Sequence, residues 1–167
     1  MKIIGIDPGY AIVGWGVVNY NNSQFSVVDY GSILTSAKLD FAKRLLIIYD
    51  SLNEILKRYG PMEMAIEKLF FNSNAKSATD VAQARGVVLL AAKQQGLNYF
   101  EYTPLQIKQS ITGYGRASKA QVIEMAMRFL NLKTVPKPDD TADALAVAVT
   151  HAHFSFSRLF KLKGFKI

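Results

Sequence analysis

Four carboxylates, Asp7, Glu67, Asp140 and Asp143, could do chemistry together, and an acid at a buried strand end such as Asp7 is costly unless something neutralises it. Asp7 follows the apolar run Ile-Ile-Gly-Ile and precedes Pro8 and Gly9, so it closes a strand, and the same tripeptide is also an ordinary turn signal. Glu67 ends the short alternating stretch 62–67. Asp140 and Asp143 are three residues apart, hence on one face of a helix. Helix chemistry accounts for Asp139 and also for Asp140, since an acid near a helix N-terminus gains about 0.3–1 kcal/mol from capping and the dipole. It accounts poorly for Asp143, which sits inside Ala-Asp-Ala-Leu-Ala-Val-Ala, a small apolar run that should face a core.

Carboxylates that converge repel one another, and their pKa values rise unless a cation lies among them. Hard divalent ions demand such oxygen ligands, and Mg²⁺ prefers a few carboxylates together with waters and substrate phosphate. Two such ions about 3.5–4 Å apart activate water and stabilise the leaving oxygen in phosphodiester cleavage. Charge points to the same substrate. Lys and Arg number 20 against 13 Asp and Glu, a net charge of +7, which suits a polyanion such as nucleic acid or an anionic membrane. The cations recur at Lys108, Arg116, Lys119, Lys133 and Lys137, and again from Arg158 to Lys166. A basic surface with metal-binding carboxylates reads as a nuclease.

Other chemistries are excluded. There is no cysteine, so no disulfide framework, thiolate nucleophile or cysteine-held metal. Asp7 interrupts the N-terminal apolar run before a signal-peptide core forms, and no apolar stretch approaches the roughly 18 residues of a membrane span, so a cytoplasmic location is expected. His151 and His153, near the expected end of the last helix, are read as dipole-stabilised and not as metal ligands.

The elements that must position these groups follow from periodicity. Residues 2–8, 14–20 and 25–33 read as three antiparallel strands, and 39–59 as an amphipathic helix ended by Gly60 and Pro61. Residues 62–67 form a fourth strand, 72–77 a polar loop, 78–95 a helix stopped by Gly96, and 97–102 a fifth strand. Capping boxes at Thr103 with Gln106 and at Ser118 with Gln121 start two further helices, and a last one runs from about Pro138 to His153. This order makes one α/β domain with a mixed five-stranded sheet over residues 1–155, followed by a basic tail, 156–167, expected to be poorly ordered. The small residues Ala82, Ala84, Gly86, Ala91 and Ala92 suit either a dimer surface or helix packing within the domain.

Ile-Gly-Ile-Asp-Pro-Gly at 4–9, Ile-Glu-Lys-Leu-Phe-Phe at 66–71, Ala-Arg-Gly at 84–86, the segment from Tyr102 to Val122 and Asp-Asp-Thr-Ala-Asp-Ala-Leu-Ala at 139–146 together resemble the RuvC family of Holliday junction resolvases. The resemblance spans nearly the whole chain in order. It implies a ribonuclease H-like fold, an acidic metal cluster of Asp7, Glu67, Asp140 and Asp143, and Mg²⁺, two per site, with Mn²⁺ as a substitute. It also implies a homodimer that cuts four-way junction DNA symmetrically, with the RuvA and RuvB branch-migration proteins as partners. Phe70 is then a ring that wedges between unstacked bases, and Lys108 and Lys119 handle DNA; Arg116 is added on charge and loop placement. Three alternatives compete. Gly-Ile-Asp-Pro-Gly-Tyr before Gly-Trp-Gly also resembles the first phosphate loop of sugar kinases and actin-like ATPases, but a second such lobe is lacking. A non-catalytic DNA-binding module leaves Asp143 unexplained. Another nuclease of the same fold, an RNA–DNA hybrid cutter or a YqgF-type relative, is the nearest rival.

Overall fold

The computed structural model describes residues 1–69 and 75–162, with side chains at 1–69 and 78–155. Three strands, β1 (Lys2–Asp7), β2 (Ile12–Asn21) and β3 (Gln24–Leu34), form the expected meander. Helix α1 (Phe41–Tyr59) follows, then β4 (Glu63–Glu67), α2 (Ala75–Gln94) and β5 (Asn98–Tyr102). Helices α3 (Pro104–Thr112), α4 (Lys119–Phe129) and α5 (Asp139–Leu162) complete the chain order. The sheet order is β3-β2-β1-β4-β5, antiparallel among the first three strands of the chain and parallel from β1 to β4 and from β4 to β5. β1 is therefore the central strand, and it is buried along Ile3, Ile4, Gly5 and Ile6.

The sheet carries a core on each face. On one, Ile4, Ile6, Val13 and Ile66 pack against Ile48 and Leu52 of α1 and Ala84 and Val88 of α2. On the other, Ile3, Val18 and Ala65 pack against α5, with α3 and α4 closing over it through Ile107, Ile111, Val122 and Met127. Alternation along the strands thus decides which residues meet α5: Ile3, Gly5 and Asp7 from β1, and Glu63, Ala65 and Glu67 from β4.

Local signals set the helix ends. Asp40 accepts from the Lys43 N–H at the start of α1, and Gly60 ends the helix in the left-handed conformation at φ 52°. Both capping boxes form, Thr103 with Gln106 and Ser118 with Gln121. Two boundaries differ from expectation. Helix α2 begins at Ala75, inside the stretch read as a loop, and α5 continues past His153 to Leu162. In the second case the aromatic and basic residues after His153 break the small apolar pattern without breaking the helix, since residues 154–162 contain no Gly or Pro.

Candidate active site

Parallel pairing of β1 with β4 aligns Ile6 with Ile66, so Asp7 and Glu67 leave neighbouring strands at the same end of the sheet. Helix α5 begins over that end. Glycines permit its approach: a Cβ on Gly5 would stand 2.0 Å from the Ala144 carbonyl oxygen, and one on Gly14 would stand 1.9 Å from that of Asp140. Gly16 faces Gly5 across β1 and β2, and a Cβ there would lie 2.5 Å from Leu145. The helix backbone therefore rests directly on the strands, and its first turns bring Asp140 and Asp143 to the carboxylates of β1 and β4. These glycines escaped the sequence reading. The available signal was glycine inside a strand, which marks close approach of another backbone.

The four acids interact. The Asp7 carboxyl is pushed up from 3.8 to about 8, first by burial and then by the charges of Glu67, Asp143 and Asp140, with Lys119 opposing. Burial, then Asp143, raises Glu67, again against the pull of Lys119. Asp143 is raised chiefly by burial, while its hydrogen bond from Lys119 draws it down. Within residues 141–152 only Asp143 escapes full burial, which explains an acid in an apolar run: it lies at the edge where α5 meets the cleft. Asp139 points elsewhere, to an exposed ion pair with Lys137 at 2.6 Å that lowers its carboxyl.

Lys119, the first residue of α4, places its Nζ 2.7 Å from Oδ2 of Asp143. The Ser118 capping box fixes that helix start: the Gln121 N–H donates to Ser118, and the Ser118 N–H donates to the Gln121 side chain. A cleft of about 220 Å³ joins Glu67, Asp143 and Lys119 to Lys108, over a wall of Pro104, Ile107 and Val122. Cation and carboxylate thus share one opening. Arg116 is exposed on the loop between α3 and α4 and is not part of this cleft. Phe70 lies outside the described residues.

The donor set is all carboxylate oxygen, which matches a hard divalent cation, and the raised Asp7 is a charge deficit that such an ion would relieve. Among the described residues, no three acids or imidazoles are gathered into a closed cage, so a bound ion would have to draw these carboxylates closer together. The histidines do not contribute. Contrary to the sequence reading, His151 is no helix terminus: it is buried in mid-α5, its Nδ1 2.7 Å from the Tyr102 hydroxyl and its Nε2 2.8 Å from Glu63. His153 sits 3.1 Å from the Ser110 hydroxyl, and burial lowers its pKa.

A β1-centred mixed sheet, with carboxylates at the ends of β1 and β4 and on the crossing helix, defines the ribonuclease H-like class. The family model described as Crossover junction endodeoxyribonuclease RuvC matches residues 3–151. The chain belongs to the RuvC family. It is 55% identical over 153 residues to the crossover junction endodeoxyribonuclease RuvC of Clostridioides difficile, covering 92% of this chain and 90% of that one. It superposes on RuvC from T. thermophilus, solved in complex with a Holliday junction substrate, with TM-score 0.90 and 35% identity over 95% of this chain and 96% of the other. A yeast mitochondrial Holliday junction resolvase shares the fold with TM-score 0.69 at 12% identity, over 98% of this chain and 86% of that one.

Proposed function

We propose that this protein is a structure-selective endonuclease that resolves four-way DNA junctions by Mg²⁺-dependent phosphodiester hydrolysis, in recombination and repair. The observation that carries the reading is the meeting of Glu67 and Asp143 with Lys119 and Lys108 in one cleft, close to Asp7, whose carboxyl burial and then the charges of Glu67, Asp143 and Asp140 push up to about 8. Asp7, Glu67, Asp140 and Asp143 would hold the metal. A bound divalent ion supplies an ionised water near neutral pH and positive charge against the leaving oxygen. The chain's own part is to place the phosphate. Lys119 leaves Asp143 for a phosphate oxygen, and Lys108 holds the strand from the far side of the cleft. Arg116, exposed beside them, meets phosphate farther along the strand.

A twofold substrate calls for a twofold enzyme, and α2 offers a surface for one. The small residues of this helix divide by burial: Ala84, Ala91 and Ala92 pack inside the domain, while Ala82, Gly86 and Leu90 line an exposed stripe. Among the described residues nothing lies within 4 Å of a Cβ placed on Gly86, so its small size serves no contact with them. We assign this stripe to the homodimer interface.

The deciding experiment offers a four-way junction, a linear duplex and an RNA–DNA hybrid side by side, with and without Mg²⁺. Paired cuts in the junction alone, only with metal, are expected. Preferential cutting of the hybrid, or cutting of plain duplex at equal rate, would replace this reading with the other nuclease of the same fold.

A further inference from the structure

Beyond the cleft, on the other side of Lys119, α4 and the segment leading into α5 enclose a groove of about 630 Å³. Its apolar lining is made by the buried Ile123 and Met127 of α4 with the half-buried Leu132 and the exposed Val135 of the connecting segment. Its mouth carries Lys119, Arg128, Lys133 and Lys137 against Glu124 and Asp139. Arg128 is engaged with Glu124, and Lys137 with Asp139, at 2.7 and 2.6 Å. Lys133 has no acid partner among the described residues, and Lys119 is shared with the catalytic cleft. The groove therefore opens onto the cleft through one side chain, with excess positive charge at its mouth.

We infer that this groove receives an unstacked nucleobase of the cut strand, next to the phosphate held at Asp143 and Lys119, with the following phosphate on Lys133. The inference rests on the junction-cutting reading. A strand whose phosphate sits at Lys119 must continue past that residue, and the groove is continuous with it. The walls suit one ligand only in part by charge: phosphate has nothing to gain from Ile123, Met127, Leu132 and Val135, whereas a base removed from its stack must bury its faces elsewhere. An extruded base can be held between apolar side chains while cations track the backbone beside it. At a junction centre the neighbouring stack is already interrupted, which lowers the cost of turning one base out. The occupant is thus nucleic acid and not an apolar peptide, because the mouth presents cations to a chain that already carries an anion at every step.

The test uses four-way junctions with 2-aminopurine, which brightens when unstacked, at each position flanking the cut mapped with the Mg²⁺-loaded wild type. In chelator, so that nothing is cut, wild-type protein should raise emission at one flanking position by at least about threefold. Val135→Glu and Lys133→Glu alter exposed residues. Each should melt as the wild type, still bind the junction, and leave that emission at its free-junction level, with cleavage slowed. If no flanking position brightens, or if both variants brighten it as the wild type does, the groove takes no base; a groove built for a partner protein gives that second result. Wild type that neither binds nor cuts junctions overturns the underlying reading and the groove with it, which separates the two failures.

Discussion

Asp7 lies opposite Gly14 across β1 and β2, and the missing side chain of Gly14 lets the Asp140 carbonyl settle where a Cβ would stand 1.9 Å away. The position of one carboxylate relative to another is thus set by a hydrogen atom on a third residue. Gly14→Ala must push the start of α5 off the sheet. Overpacking of this kind costs about 1–3 kcal/mol. Cleavage should fall further than stability does, by at least about 10²-fold, because misplacing a reacting group by roughly 1 Å has that effect. Melting and cleavage rates of Gly14→Ala check this; near-normal cleavage would show that α5 need not sit so close.

Lys119 is paired with Asp143, and on the proposed reading a metal would compete with it for that carboxylate. Lys119→Met removes the cation bound to Asp143 and leaves Asp143, Glu67 and Asp7 without the charge that opposes their rise. Metal binding should tighten, while cleavage drops by about 10²–10³-fold, the usual loss when one preorganised charge partner of the transition state is removed. Calorimetric titration with Mg²⁺ and single-turnover cutting of a junction separate the two effects. Weaker metal binding would mean that Lys119 supports the cluster instead of opposing the ion.

Much of this site is legible in the amino-acid sequence. Asp7 and Glu67 close apolar strands, Asp143 is an acid in an alanine run, and the capping boxes fix where α3 and α4 begin. Strand and helix periodicity is local, so it survives in the sequence. Contacts between distant segments are not local. Nothing near Lys119 says that it reaches Asp143, and nothing near Gly14 says that a helix starting at Asp139 lies on it. His151 misled for the same reason: its burial depends on Tyr102 and Glu63, from two different strands.

The Asp7 carboxyl makes stability depend on pH in a definite direction. Its pKa is higher folded than unfolded, so the folded chain binds the extra proton between 3.8 and about 8. Stability therefore falls as pH rises through that window; the penalty is absent below it and complete above it. In chelator at pH 9, Asp7→Asn should melt several degrees above wild type, the gap closing toward pH 4. Mg²⁺ should restore the wild type and leave the variant unmoved. Cleavage should climb toward pH 8, with a midpoint that moves to lower pH as Mg²⁺ is raised, because the ion replaces the proton. A midpoint indifferent to Mg²⁺ would separate Asp7 from the metal.

Leu90 tests the dimer. It is 61% exposed on α2, two helical turns from Ala82 with Gly86 between them, and a large exposed aliphatic beside two small residues is the pattern of a close helix contact. Leu90→Glu places a charge at one end of that stripe, which on the proposed interface would lie against the partner helix. Light scattering should then report a monomer. The monomer should fold, since Leu90 contributes little to the core, and its melting should lose the dependence on protein concentration that a dimer shows. The acidic cluster is untouched, so metal binding should be that of the wild type. On a junction, the variant should lose paired cutting and leave single nicks, with much weaker binding. Gly86→Ala is the companion: its Cβ meets nothing among the described residues, and in a monomer it should stabilise α2 by up to about 1 kcal/mol. Weakened dimerisation in Gly86→Ala would place the partner helix directly over that residue. A dimer that persists in Leu90→Glu would place the interface on another face.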